Sequence, residues 1–266
     1  MTESYASVVS LFENAKPKVP STQERTRGKH DSSYVLSYGV ACVRKNPNTS
    51  CYEVLMIKKR HTYAFIEFIR GVYDPYKDQD LQYMFESMTI TEKSMIQTRN
   101  FETLWNYCNG EPTKNSDKAV FSRALRKYTA LAERGGDIIS RLLANTKNET
   151  LLWEIPKGRP DKKETPLSSA VREFEEETGL GKDSYRVLFD EGTIEYSFID
   201  CGVRYKYVYY LAVCSDIVPK YDYSNEHMLH ELSELKFMTS IATQELNNQR
   251  LAKTVRIIIK KCKKYL

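Results

Sequence analysis

Three glutamates, Glu173, Glu176 and Glu177, stand at i, i+3 and i+4 in the run REFEEETGL that ends at Leu180. On a helix turning about 100° per residue they share one face. Like charges at that spacing repel unless a cation neutralises them. Hard oxygen donors at close quarters suit Mg2+ or Mn2+, with phosphate oxygens completing the coordination shell. The chemistry such a cluster could do is metal-assisted chemistry on a phosphate-bearing substrate. Ala170, Val171 and Phe174 point elsewhere and give the same helix a packing side. Most glutamate runs are solvated helix faces. Here Gly158 opens the preceding loop and Gly179 stands where a C′ glycine terminates a helix, which argues for a built element.

The whole spacing from Gly158 to Leu180 is G-x5-E-x7-R-E-U-x-E-E-x-G-U, where U is a bulky apolar residue. Seven fixed letters at roughly 7% background usage, with two looser ones, coincide by chance on the order of 10⁻⁹ times per starting position. The pattern is the Nudix box, and the chain resembles the Nudix hydrolases. That resemblance implies substrates in which a nucleoside diphosphate is linked to another group, and Mg2+ or Mn2+ as cofactor. By the family's pattern Glu173, Glu176 and Glu177 match metal-binding and water-activating carboxylates, with Glu173 and Glu177 the first choices as ligands. Gly158 matches the residue whose carbonyl can join the metal shell. Arg172 matches the arginine that holds the box carboxylates in place, and Glu164 its supporting acid. Nudix enzymes often draw a further carboxylate from beyond the box, a few residues ahead of a bulky aromatic at a strand start. Phe237 takes that place, so Glu231 is the leading candidate, with Glu226 and Glu234 in reserve.

The elements that must position these groups are legible in the flanks. The 266 residues are 41% hydrophobic, enough for one large domain or a domain with an insert. YVLSYGVACVRK (34–45) and YEVLMIKKR (52–60) are apolar, β-branched runs joined by turn-forming NPNTS, a hairpin pattern. From about residue 75 to 149 the apolar spacing turns helical. Thr89 or Thr91 with Glu92 could cap one of those helices, and Gly135-Gly136 separates the last two. TLLWEIPKG then leads as a strand into the box, placing Lys157 beside the loop. YRVLF, TIEYSFI and VRYKYVYYLAV read as strands, 230–238 as an edge strand, and 243–265 as one amphipathic helix with a basic end. The architecture expected is α/β: an α/β/α sandwich with a mixed sheet, in parts 34–74 and 150–266, carrying a helical insertion over 75–149. Residues 1–33 read as a flexible leader.

Composition bounds the rest. Net charge is +5, and much of the acid lies in the box helix and the segments after it, so the rest of the surface is more basic than the total suggests and favours an anionic partner. Six cysteines, among them Cys201, are scattered without a C-x-x-C pair, as expected for free thiols in a reducing compartment. His227 and His230 lack the second ligand pair a zinc site needs. No apolar run reaches the ~20 residues of a membrane span and no signal-peptide core is present, so a soluble intracellular protein is expected.

Beyond the box, TLLWEIPKGRP, KKRHTYAFIEFIRGVY and MFESMTITEK look like the mRNA-decapping Nudix enzymes of large cytoplasmic DNA viruses, over most of residues 36–266. That likeness implies capped mRNA as substrate, release of 7-methyl-GDP and action in the host cytoplasm. Diphosphoinositol polyphosphates or nucleotides are the alternative substrates. It also implies two aromatics around the cap base: Tyr205 by spacing and strand context, and Phe65 or Phe68 ahead of the insertion. The basic stripe Lys118, Arg123, Arg126 and Lys127 would contact the RNA backbone.

Overall fold

The structure, a computed structural model, describes residues 34–134, 138–144, 148, 150–200, 203–215, 217–246 and 248–266, without the side chains of Asp200, Glu226 and His227. The leader, Gly135-Gly136 and Cys201 lie outside the described residues. Strand β1 (Tyr34–Lys45) and strand β2 (Tyr52–Lys59) form the expected hairpin. Its turn is set by Asn46, whose Oδ1 accepts from the backbone N–H groups of Asn48 and Thr49 at 2.9 and 3.1 Å. The two strands pair only next to that turn, from Val43↔Val54 to Lys45↔Tyr52, and then diverge.

The gap between them is filled by two short strands from the stretch WEIPKG. Strand β3 (Trp153–Glu154) pairs with β2, and strand β4 (Lys157–Gly158) pairs with β1. This wedge delivers the chain into the box. On the other side β1 runs parallel to β7 (Val203–Val213) from Tyr34↔Arg204 to Val43↔Val213. Strands β5 (Arg186–Val187) and β6 (Thr193–Asp200) pair with β7, and β8 (Leu232–Thr239) forms an edge on β2. The result is one mixed sheet of eight strands.

Alternation along β1 divides its side chains between two faces. Val40 and Cys42, with Leu55 and Ala212, receive Ala170 and Phe174 of helix α7 (Pro166–Thr178). Ala41 and Val43, with Val54, Met56 and Leu211, receive Leu251, Val255 and Ile258 of helix α10 (Gln249–Cys262). That is the α/β/α sandwich. The basic C-terminal stretch is two helices rather than one: α9 (Ser240–Gln244) precedes α10, each started by its own cap, Thr239 and Asn248.

Between β2 and β3 lie helices α1 (Tyr63–Ile69), α2 (Asp78–Ser87), α3 (Ile90–Thr98), α4 (Phe101–Asn109), α5 (Asn115–Glu133) and α6 (Ile138–Ala144). They have a core of their own, built around Phe65, Phe68, Phe85, Leu104, Trp105 and Leu131. The helical body therefore begins at Tyr63, a dozen residues before the expected boundary at 75. Thr62 caps α1 from the end of β2, and Glu92, in a capping box with Thr89, also accepts from Thr62 N and Thr62 Oγ1 at 2.6 and 2.8 Å. Among the described residues no helix is long and apolar enough to cross a membrane.

Candidate active site

Helix α7 carries the box. Thr165 caps it with Ser168 in a capping box, Pro166 occupies its first turn, and Gly179 ends it at φ 67° in the left-handed region. With Ala170 and Phe174 sunk into the sheet, the remaining face presents Glu173 and Glu177 to the wedge and sets Glu176 against Arg172. Lys157 N donates to Glu177 Oε2 at 2.8 Å, so the β4 backbone grips the helix directly. Glu173 lies across Gly158: a Cβ on that glycine would fall 1.9 Å from the Glu173 carboxyl carbon. Only a residue without a side chain leaves room for that carboxylate.

Arg172 ties the acids together. Its Nε and Nη2 each donate to Glu164 at 3.0 Å, its Nη1 lies 2.8 Å from Glu173 Oε1 and 2.9 Å from Glu176 Oε2, and Nη2 also donates to the Arg159 carbonyl. The hydrogen bonds from Arg172 hold the Glu164 carboxyl below its ordinary value. Glu173 shows the opposite shift. Burial, opposed by Arg172 and reinforced by the charges of Glu177 and Glu176, pushes it up to about 7.

Glu177 is 3% exposed, and burial raises its carboxyl above the ordinary value against the pull of Lys59. Lys59 Nζ donates to Glu177 Oε1 at 2.7 Å and to Glu231 Oε2 at 3.3 Å. Burial alone would lower the ammonium's pKa. The Glu177 charge, with smaller contributions from Tyr63 and Glu231, raises it instead. Glu231 closes helix α8 (Glu226–Glu231) and is mostly exposed. The structure thus brings Glu231 to the box through a shared lysine. Glu234, in contrast, faces Lys58 and Lys236. The Glu226 and His227 side chains lie outside the described residues.

Among the described residues no three acids, histidines or cysteines converge on a ready-made cation cage. The donor set nonetheless suits a hard divalent ion. All the candidates are carboxylate or carbonyl oxygens. The Gly158 cradle holds Glu173 where a Cβ would sit, and Lys59 already places a positive charge between Glu177 and Glu231.

A second ionic cluster lies under the wedge, and the residue types gave no sign of it. Tyr63 of α1 donates to Glu154 Oε2 at 2.8 Å, and the buried Lys157 Nζ contacts Glu154 at 2.9 Å and Tyr63 Oη at 3.1 Å while lying 4.4 Å from the Tyr207 ring centre. Burial would raise the Glu154 carboxyl, but Lys157 and Lys59 hold it below its ordinary value. On the neighbouring hairpin Tyr205 stacks on Phe198, ring centres 5.2 Å apart and planes 16° from parallel, and Arg250 lies over Phe198.

Two expectations need correction. Phe65 and Phe68 are 0% exposed in the core of the helical body, so neither offers a face to a base. Their i, i+3 spacing with Ile69 is that of a helix burying one side. Phe198 is the aromatic that actually stands against Tyr205. Lys127 is not a free phosphate ligand either: its Nζ donates to the carbonyls of Gly71 and Tyr73, just past the end of α1. Lys118, Arg123 and Arg126 are exposed on α5, in an arc of about 140° opposite its buried Ala124 and Leu131.

A family model described as NUDIX domain matches residues 131–256. The match is continuous and so misses β1 and β2, which belong to the same sheet but precede the helical body. The mRNA-decapping protein g5R of African swine fever virus (isolate Warthog/Namibia/Wart80/1980) is 32% identical over 219 residues, covering 80% of this chain and 89% of its own. A protein of Acanthamoeba polyphaga mimivirus is 29% identical over 247 residues, covering 79% of this chain and 66% of its own. Among solved structures, a C. elegans Ap4A hydrolase binary complex aligns with TM-score 0.43 at 13% identity, over 84% of this chain and 93% of that one. A relative this similar over so much of the chain, joined to an intact box on a mixed-sheet sandwich, shows that the chain belongs to the Nudix hydrolases.

Proposed function

We propose that this Nudix hydrolase decaps RNA, cleaving the cap pyrophosphate to release 7-methyl-GDP and leave a 5′-monophosphate end. The observation that carries the reading is the reach of the likeness to the viral mRNA-decapping protein. It covers 80% of the chain and extends well past the 131–256 stretch into the helical body. On this reading the enzyme acts in the cytoplasm of a host cell.

Mg2+ or Mn2+ would be held by Glu173, Glu177 and Glu176 with the Gly158 carbonyl. When bound, such an ion supplies charge neutralisation at the phosphate oxygens and lowers the pKa of water. The chain's own groups do the rest. Glu176 or Glu231 accepts the proton of the attacking water, and Arg172 fixes the box carboxylates against their mutual repulsion. A methylated guanine, being cationic, would stack on the Tyr205 ring. Lys118, Arg123 and Arg126 would contact the RNA body without reading its sequence.

The test is RNA labelled in its cap. With divalent metal the enzyme should release labelled 7-methyl-GDP, uncapped RNA should compete, and Glu177→Gln should abolish release while still binding RNA. Tyr205→Ala should weaken capped-RNA recognition by about 1–3 kcal/mol, the cost of one lost stacking contact. Faster cleavage of diphosphoinositol polyphosphates or of a free cap dinucleotide than of capped RNA would overturn the reading.

A further inference from the structure

Lys59 has a geometry that the reaction outlined above does not use. It ends β2, its N–H donating to the Leu152 carbonyl at 2.9 Å, and its side chain is 12% exposed. The ammonium touches carboxylates from two separate elements, Glu177 of α7 at 2.7 Å and Glu231 of α8 at 3.3 Å. The second Glu177 oxygen is taken by Lys157 N. One is an acid assigned to the metal, and the other is the extra carboxylate from beyond the box.

We propose that Lys59 is an internal stand-in for the divalent cation: it holds Glu177 and Glu231 together in the metal-free enzyme and gives up those oxygens when the ion binds. The inference rests on the reading of Glu177 as a metal ligand.

The physical argument starts from burial. A carboxylate as enclosed as Glu177, left without a counter-charge, would be strongly destabilising. A cation held there before the metal arrives keeps that carboxylate ionised and in place. The two cations of the site differ in kind. Arg172 forks onto Glu164 with two parallel hydrogen bonds and is held by further partners, so it is a permanent fixture. Lys59 is a single charge on a flexible stem with three donors, suited to letting go. It also has somewhere to go, because Glu154 and the Tyr63 hydroxyl lie within its electrostatic reach. An ammonium and a divalent ion cannot share the Glu177 and Glu231 oxygens, since their mutual repulsion at such distances is large. Displacing Lys59 thus weakens metal binding below what the carboxylates alone would give, and in exchange keeps the metal-free site folded.

The experiment titrates Mn2+ into the full chain in four forms (wild type, Lys59→Met, Lys59→Arg and Glu177→Gln) by calorimetry or by the spin-resonance signal of free Mn2+, with melting temperatures taken in parallel. Lys59→Met should bind Mn2+ on the order of tenfold more tightly than wild type. It should melt lower than wild type without metal and gain more from Mn2+. Lys59→Arg, which keeps the charge, should bind no more tightly than wild type. If Lys59→Met does not stay soluble without metal, Lys59→Gln goes through the same titration. Should Glu177→Gln lose Mn2+ while Lys59→Met binds it no better than wild type, the stand-in role is wrong and the ligand reading survives. Should Glu177→Gln bind Mn2+ as wild type does, the ligand reading itself fails.

Discussion

The Tyr63 hydroxyl donates to Glu154 Oε2 at 2.8 Å, joining the first helix of the helical body to the wedge that precedes the box. Lys157 completes the triangle from a nearly buried position, its side chain 5% exposed. The carboxylate is the member the other two depend on. Tyr63→Phe removes one hydrogen bond of a partly exposed ring and should cost about 1 kcal/mol or less. Glu154→Gln strips a buried ammonium of its counter-charge and should cost about 3–5 kcal/mol. Urea unfolding of the two variants checks the ranking. Equal costs would mean that Glu154 is not its centre.

Gly158→Ala tests the cradle. The added methyl meets the end of the Glu173 side chain rather than backbone, so the carboxylate can swing aside and the fold should survive with little loss. What should fall is metal affinity, because Glu173 leaves its place beside Arg172. The expected result is a melting temperature near wild type with activity reduced at least tenfold and partly recovered at high metal. A large drop in melting temperature instead would mark Gly158 as a folding residue only.

The α5 cations divide into two kinds. Replacing Lys118, Arg123 and Arg126 together by Gln should leave stability within about 0.5 kcal/mol, as for ordinary surface positions. It should lower the slope of log affinity for RNA against log salt by about 2–3, one unit per lost phosphate contact. Lys127→Met should do the reverse, loosening the helical body because the Gly71 and Tyr73 carbonyls lose their donor, with the salt slope unchanged. Salt titrations of RNA binding beside thermal melts separate the two.

Acid sensitivity should centre on Glu92. Burial alone would raise this carboxyl, but His61 and the Thr62 and Thr89 donors hold it below its ordinary value. A lowered folded value means the ionised group stabilises the fold above the unfolded value of about 4.3. That contribution fades as pH falls through the lower folded value. Glu92→Gln should therefore cost about 2–3 kcal/mol at pH 7, the range of charge-assisted hydrogen bonds. Its stability should also change less than wild type between pH 5 and pH 3. Chemical denaturation across that range would expose the error if both proteins lost stability in parallel.

The sandwich and the box were legible because periodicity and spacing are local signals. β1 alternates, α7 segregates Ala170 and Phe174 from its acids, and Gly158 and Gly179 punctuate it. The sequence singled out Glu231 through its distance from Phe237, and the fold sets its carboxylate on the lysine that also holds Glu177. What stayed hidden were pairings between distant elements. Whether Lys127 is a free cation depends on carbonyls more than fifty residues away, at the far end of α1. The role of Lys59 depends on two acids that follow it by 118 and 172 residues. Phe65 and Phe68 were misread for a different reason. The likeness to decapping enzymes suggested an aromatic for the cap base ahead of the insertion, whereas the 65, 68, 69 spacing already described a helix closing on its own core.

The hydrogen bond from Lys59 N to the Leu152 carbonyl means that the chain departs into the helical body and returns from it at a single seam. Some ninety residues are thus grafted onto the sheet through two adjacent backbones, as a side branch is set on a trunk. The register of β1, β2 and the wedge is closed beneath that seam, and α1 reaches back to it through Tyr63 on Glu154. Helices beyond α1 can be lengthened, shortened or rebuilt to suit a new substrate, while the carboxylates of α7 keep their positions.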